Sequence, residues 1–473
     1  MAPTERTAAR ETRAFSQPHA DRLNRAAWSW ALFQGVRDPY VILVGIYIFA
    51  PYVVSLVGDP VQGQALIAAG AKYTGWIVML TAPLLGATVD RMGPRKPWLA
   101  AVVLLMVPLI ASLWWVRPGG LTPVQAVVIT AACGILFAYS ETLHNALLLP
   151  AAGMRKAGHA SGLGLAAGNF FSVLMLAGVL WGFALPGKVG WGFVPAAPLL
   201  GLDPAAHEPD RIVGPLIALV FAAGAWPLFA VVPDVGSTGV RLGAAVRAGA
   251  ADLAQLVREA RGYRDGLLYL GARMLFTDGL TGILIFTGIY AAGQLGWGTL
   301  ELVSYGLILC SAAVIGGFTA GWLDTRVGPK LALTIELVAV IISQLLSLGQ
   351  TRTTLFYRPF DAAAHAPLWS GPIFHTLPEF ALIGCGLLGA ISVTAAYASS
   401  RTMVTRVVPP AKIGVFFGLF VIAGNATLWL APLLVQLATS VSGSQRIGLL
   451  PIDGLLLAGL IVLQFVRGGE RLR

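Results

Sequence analysis

The stretch GATVDRMGPRKPW, residues 86–98, decides how this chain is read. It packs Asp90, Arg91, Arg95 and Lys96 around a Gly93-Pro94 turn, with apolar runs on either side. A short charged turn between two long apolar segments is the pattern of a loop joining helices in a medium far less polar than the loop itself. The pattern recurs. Gly86-x4-Arg91-x-Gly93-Pro94-Arg95 returns as Gly321-x4-Arg326-x-Gly328-Pro329-Lys330, an offset of 235. Leu32-Phe33-x11-Gly45-Ile46-Tyr47 returns as Leu275-Phe276-x11-Gly288-Ile289-Tyr290, an offset of 243. Gly162-Leu163-x3-Ala167-Gly168-Asn169 returns as Gly418-Leu419-x3-Ala423-Gly424-Asn425, an offset of 256. The echoes keep their order, and an insertion at 350–375 relative to 117–121 accounts for the growing offset. The chain is therefore read as a duplication.

Composition says what is duplicated. Of the 473 residues, 56% are apolar and 11% charged, and mean hydropathy is +0.76. A soluble domain carries about 25% charged residues. A soluble enzyme, a secreted protein and a disordered chain are excluded. With ~20 residues needed per spanning helix, twelve spans are predicted at 26–57, 64–88, 97–116, 122–149, 160–185, 212–232, 265–293, 299–322, 330–349, 376–400, 412–437 and 446–466. The predicted fold is an all-α polytopic membrane protein whose 12 transmembrane helices form two pseudo-symmetric six-helix bundles. A polar tail at 1–25, an N-terminal bundle at 26–233, a linker at 234–264, a C-terminal bundle at 265–466 and a tail at 467–473 are expected. Within the linker, Val246, Leu253, Leu256 and Ala260 oppose Arg247, Asp252, Arg258 and Arg261, which predicts an amphipathic helix on the inner membrane surface.

With both termini in the cytoplasm, 23 of the 32 Lys and Arg residues fall in inner segments and 6 in outer ones. By the positive-inside rule this sets the orientation. The formal charge of +10 is thus a topology signal that suits an anionic leaflet, with no support for nucleic-acid binding. Cys133, Cys310 and Cys385 lie singly in apolar runs and give neither a disulfide nor a metal pattern. No phosphate-cradling loop or nucleophile elbow is present, so neither a cofactor nor an enzymatic activity is expected.

The 86–98 segment resembles the loop signature of the major facilitator superfamily, Gly-x3-Asp-Arg-x-Gly-x-Arg-Arg. The resemblance implies a gating loop built on Gly86, Asp90, Arg91, Gly93, Arg95 and Lys96, with Arg326 and Gly328 in its second copy. Asp90 is expected at the start of span 11, near Lys412. In the second copy Asp324 comes one position early, and Thr325 stands where the carboxylate belongs. WALFQGVRDPY (30–40), LHNALLLP (143–150), GHASGLGLAAGN (158–169), RMLFTDGLTGILIFTGIYAAG (273–293) and SSRTMVTRVVPP (399–410) further resemble the vacuole-effluxer-like family. That family implies a transporter fold with spans 1, 4, 7 and 10 lining a cavity, and its eukaryotic members are associated with amino-acid efflux. Phe33-Gln34, Arg37, His144 and Tyr397 depart from its usual residues.

Charges at membrane depth cost ~2.5–3.5 kcal/mol on insertion scales and usually face a cavity or a partner. Arg37, Asp38, Glu141, His144, Asn145, Arg273, Asp278, Tyr397 and Arg401 are the candidate substrate or coupling residues. Arg37, Asp38, Arg273 and Asp278 either pair across the halves as structural glue or include a carboxylate that exchanges a proton, Asp278 first and Glu141 second. His144 is read as a packing residue. Lys72 is expected to snorkel, and Glu336, Glu379 and Asp453 to sit as interfacial or capping groups. Gly164-x3-Gly168 and Gly317-x3-Gly321 predict close helix crossings, while Trp114, Trp115, Trp191 and Trp369 predict an outer aromatic belt. The expected function is ion-coupled movement of a small solute by alternating access, with a proton as first coupling ion and sodium second. The protein is expected as a monomer in a bacterial cytoplasmic membrane. A sugar:cation symporter, a lipid scramblase and a non-transporting sensor on the same fold are the alternatives.

Overall fold

The structure, a computed structural model, describes residues 23–407 and 413–467. Twelve of its helices have the length and apolarity to cross a membrane. Spans 1 to 6 are Arg25–Val57, Pro60–Met92, Lys96–Trp115, Pro123–Ala146, Ala160–Ala184 and Glu208–Val231. Spans 7 to 12 are Arg264–Leu295, Thr299–Val327, Pro329–Leu348, Leu377–Val404, Ile422–Ser442 and Gln445–Gln464. Their starts are written locally in the sequence. The Asn24 side chain accepts from the Ala27 N–H at 2.8 Å, and Asp59 accepts from the Val61 N–H at 2.8 Å just ahead of Pro60. Thr122 and Gln125 form a reciprocal cap around Pro123. Each cap satisfies N–H groups that a helix leaves unpaired in its first turn.

The packing repeats. Span 1 lies against spans 5 and 6, span 4 against spans 2 and 3, and span 3 against span 6. Span 7 lies against spans 11 and 12, span 10 against spans 8 and 9, and span 9 against span 12. Between the halves, span 2 packs on span 11, span 5 on span 8 and span 1 on span 7. The two echoed segments meet at this last contact. A Cβ on Gly288 would stand 2.2 Å from the Ile46 carbonyl oxygen, so only glycine permits the approach.

Three elements differ from expectation. Span 1 is irregular, with an α-helix over Arg25–Arg37, a π-helix over Tyr40–Tyr47 and a second α-helix over Phe49–Val57. Span 11 breaks into Ile413–Ala426 and Leu430–Ser442. The linker helix, Leu242–Ala260, docks on span 2 instead of resting on the membrane surface alone. Its Gly249 meets the backbone of Ala87 and Thr88, and its Asp252 accepts from Arg91 at 2.7 and 2.5 Å. The insertion after span 9 carries a small hairpin pairing Thr354–Leu355 with Arg358–Pro359.

Glycine spacing is borne out at one position and corrected at another. Cβ atoms on Gly164 and Gly168 would meet the Gln34 and Asp38 side chains at 2.6 and 2.5 Å, so span 1 and span 5 cross closely there. Gly317 and Gly321 have nothing within 4 Å, and the close approach falls on Gly316, against the Ile391 carbonyl oxygen. Gly86 faces Thr142 of span 4.

Candidate functional site

Two faces of the bundle behave differently. On the face that carries the turns at 58–59, 116–122 and 443–444, polar side chains stitch the halves together. Gln64 of span 2 donates to Thr439 Oγ1 at 2.8 Å, Lys72 to Gln436 Oε1 at 2.8 Å, and Gln445 to the Pro60 carbonyl at 3.0 Å. Thr299 of span 8 donates to Asp210 of span 6. Tyr47 and Tyr305 meet edge to face at 6.3 Å. Lys72 therefore turns inward instead of snorkelling, because a polar partner on span 11 is within its reach. Gln64 and Lys72 share one helix face at two-turn spacing, and Gln436 and Thr439 share another. That complementary spacing is the signal by which sequence could have matched them.

Toward the basic face the halves separate. Glu141 and Asn145 of span 4 and Arg401 of span 10 are reached by solvent, and Asp38 of span 1 is partly so. Glu141 nonetheless lies within electrostatic reach of Arg37, Asp38 and, across the halves, Arg401. Tyr397 in turn lies within reach of Arg273, Asp278 and Glu141. The solvent that touches Glu141 is thus between the bundles and not on their outer surface. Deeper in, a cavity of about 240 Å³ is lined by Tyr40, Gly70, Gly75, Val127 and Gly134 of one half and by Thr281 and Leu428 of the other. Thr281 and Tyr397 hydroxyls lie 3.0 Å apart and join this apolar chamber to the charged region below.

The four charges proposed as glue do not pair across the halves. Arg37, buried at the end of the first helix of span 1, donates to its neighbour Asp38 at 2.8 and 3.1 Å and stacks 4.6 Å over Phe137. Side chains at i and i+1 diverge on a helix; at this end of the first helix the long Arg37 side chain curls back to reach its neighbour. Arg273 donates to the Phe420 carbonyl at 2.8 Å and lies 3.4 Å over the Phe420 ring. Asp278 is buried and accepts from the Ala431 N–H at 2.7 Å. That bond caps the second helix of span 11 just past its break, where unpaired N–H groups and the positive helix end favour a carboxylate. The repeat explains Arg273. By the offsets 243 and 256, Trp30 corresponds to Arg273 and Gly164 to Phe420. Trp30 packs against Gly164 in one half, and Arg273 packs over Phe420 in the other, the large group having changed sides.

His144 is a packing residue. It is fully buried, stacks on Trp30 at 4.2 Å and Phe33 at 4.9 Å, and its Nε2 donates to the Trp30 carbonyl at 2.8 Å. Glu379 accepts from Trp297 and from the Thr376 N–H, so it caps span 10 as expected. Glu336 and Asp453 are not interfacial: both are buried, at 4% and 8% exposure.

The 86–98 loop is held by its own half and by the linker. Asp90 pairs with Arg95 at 2.6 Å, while Lys412, its expected neighbour, lies outside the described residues. Asp234, after span 6, accepts from the Arg95 and Lys96 N–H groups at 3.0 and 2.9 Å and so caps span 3. Gly93, at φ +100°, sits against the Gly236 carbonyl. Lys96 donates to the Phe229 carbonyl near the end of span 6, and Lys330 donates to the Gln464 carbonyl at the end of span 12. Both copies thus seat a lysine on the negative end of the sixth helix of their bundle. In the second copy Arg326 stacks on Trp322, Gly328 takes φ +81°, and the early Asp324 accepts from Thr402 of span 10 at 2.6 Å.

Residues 211–470 match the family described as "Vacuole effluxer Atg22 like". The chain belongs to this Atg22-like family. A curated relative, autophagy-related protein 22 of Candida glabrata, is 24% identical over 192 residues, which is 40% of this chain. The match spans 32% of that relative's length. Solved structures share the fold. The D-xylose-proton symporter aligns with TM-score 0.63 at 13% identity, covering 94% of this chain and 98% of its own. The nucleoside transporter NupG aligns with TM-score 0.60 at 12% identity over 93% of this chain and 99% of its own. A bacterial homologue of the human lysosomal transporter Spinster, inward-facing and occupied, aligns with TM-score 0.57 at 13% identity over 93% and 95%. The Atg22-like protein therefore has the major facilitator fold, and its family and fold are those of a membrane transporter and not of an enzyme.

Proposed function

We propose that this Atg22-like protein moves a small zwitterionic solute, an amino acid in the first instance, by alternating access. The observation that carries this reading is the placement of Glu141 and Arg401. Opposite charges, one from each half, are both exposed and lie within electrostatic reach of each other. A solute with an ammonium group and a carboxylate would satisfy both, and an apolar side chain would enter the chamber beside Thr281. Charge-assisted hydrogen bonds of that kind contribute about 1.5–3 kcal/mol each. Binding would draw the halves together at the basic face, while the polar stitching of the opposite face would open in the other half of the cycle.

Energy would come from an ion gradient, with a proton on Glu141 as the first candidate; the solvent-reached Glu141 meets the gap directly, whereas Asp278 is occupied in capping span 11. The basic face would lie in the cytoplasm of a bacterial cell, with the protein acting as a monomer. Thermal-shift screening of purified protein against amino acids, sugars, nucleosides and lipids at two pH values tests the reading. Stabilisation by amino acids that is lost in Glu141→Gln and in Arg401→Gln is expected. Stabilisation by sugars or lipids alone would overturn it.

A further inference from the structure

Glu336 lies about two turns into span 9 (Pro329–Leu348), 4% exposed, and no ion pair reaches it among the described residues. Ser399 of span 10 donates to its Oε1 at 2.9 Å, while its Oε2 is buried and has no hydrogen-bond partner. One turn along span 10, Thr402 donates to Asp324 Oδ2 at 2.6 Å, and Asp324 Oδ1 is likewise buried without a partner. The charge that bears on Glu336 is that of Asp324. Two acidic side chains from spans 8 and 9 are thus bridged by hydroxyls three residues apart on span 10, each with one oxygen unspent.

The two cations of the adjoining loop are engaged elsewhere. Arg326 stacks 4.4 Å over Trp322, and Lys330 donates to the Gln464 and Val466 carbonyls at 3.0 and 2.8 Å. Leaving a carboxylate buried and unpaired at membrane depth costs several kcal/mol. A second carboxylate beside it raises that cost. What such a pair lacks is a positive charge that binds oxygen and is small enough to sit between three helices.

We propose that Glu336, Asp324, Ser399 and Thr402 form a binding site for an alkali-metal cation inside the C-terminal half, separate from the cavity between the halves. All four donors are oxygens, as a hard cation requires. Two carboxylates and two hydroxyls suit a monovalent ion, whereas magnesium keeps most of its water and calcium takes six to eight oxygen ligands. Thr402 is exposed, Asp324 half-buried and Glu336 buried, which grades the site from solvent inward. Sequence points to it only faintly: Asp324 is the aspartate displaced by one position in the second loop copy, and the displacement turns it toward span 10.

The site bears on the coupling step proposed above, but its test reads binding on the resting protein, so either reading can fail alone. The thermal midpoint of purified full-length protein is measured in lithium, sodium, potassium or choline chloride at constant ionic strength and two pH values. At least one alkali cation is expected to raise the midpoint over choline, with its apparent affinity lowered tenfold or more in Glu336→Gln and in Asp324→Asn. Thr402→Val provides a milder variant should either of these fail to fold, and is expected to weaken the same response. Equal midpoints in all four salts, a dependence on pH without one on cation, or an undiminished response in the variants would each overturn the proposal.

Discussion

Gly288 of span 7 rests against the main-chain carbonyl of Ile46 in span 1, with a clearance that no side chain would fit. The two residues come from the paired echoes Gly45-Ile46-Tyr47 and Gly288-Ile289-Tyr290, so the duplicated segments meet each other across the halves. The partner Gly45 has nothing within 4 Å of its would-be Cβ. The contact is therefore one-sided: the span 7 glycine admits the span 1 backbone.

Replacing Gly288 with Val should prevent the halves from closing on this face, because the obstructing atom is backbone and cannot swing aside. Overpacking of this kind costs about 1–3 kcal/mol. Gly45→Val is the matched control. Labelling of a cysteine introduced at Val54, which is buried and lines a cavity on this face, should speed up markedly in the first variant and remain near its original rate in the second; equal rates would show that the Ile46 contact does not set closure.

The crossing of span 1 and span 5 makes a second comparison. A methyl group on Gly168 would press on Asp38 Oδ2, whereas Gly162 on the same helix has open space. Gly168→Ala is expected to weaken solute binding several-fold by displacing Asp38 and, with it, Arg37. Gly162→Ala should bind as the native protein does, measured by thermal shift with the solute identified in the screen.

The stitching on the opposite face carries a titratable group. His207 Nδ1 lies 2.9 Å from Asp210 Oδ2, and the other Asp210 oxygen accepts from Thr299 of the partner half. The hydrogen bond to Asp210 holds the His207 imidazole above its ordinary range, against burial and the nearby Arg211. A raised folded value means that the protonated form is favoured when the face is closed. Its contribution is complete below about pH 6.5 and is lost as pH rises through the folded value. Half of the side chain is exposed, which limits the effect. A cysteine at Thr299 would remove the hydroxyl itself, so accessibility is read at Val54, which is buried and lines a cavity on this face together with His207, Asp210 and Thr299. Val54→Cys should label faster with rising pH, and His207→Gln should abolish that pH dependence while leaving the labelling reaction's own thiol dependence.

Linker docking has its own test. Arg91 donates two hydrogen bonds to Asp252, which hold that carboxyl below its usual range. Asp252→Asn should make the segment between spans 6 and 7 more susceptible to limited proteolysis and leave the thermal midpoint nearly unchanged, since the pair is open to solvent. Unchanged cleavage would assign the docking to Gly249 and its apolar neighbours.

The fold was legible because duplication and hydropathy act over hundreds of residues and agree with each other. Gly164 and Gly168 were legible as a close crossing from their small-residue spacing, and Gly93 as a turn from the proline that follows it. Side-chain partners were less so. Asp278 reads as a lone buried acid until the break in span 11 supplies the Ala431 N–H, and neither Gly nor Pro occupies the break at Thr427–Trp429 to announce it. Glu336 and Lys72 read as end-of-span residues because distance along one helix says nothing of the helix beside it. Arg273 becomes intelligible only when the two repeat offsets are combined with the packing of Phe420.

Counterflow in proteoliposomes tests the central claim most directly. Vesicles loaded with an unlabelled amino acid should accumulate the labelled one through the native protein, and Glu141→Gln should reduce the initial rate tenfold or more, the loss of about 1.4 kcal/mol or greater. Accumulation by Glu141→Gln at the native rate, or exchange of sugars with no exchange of any amino acid, would contradict a zwitterion site between Glu141 and Arg401.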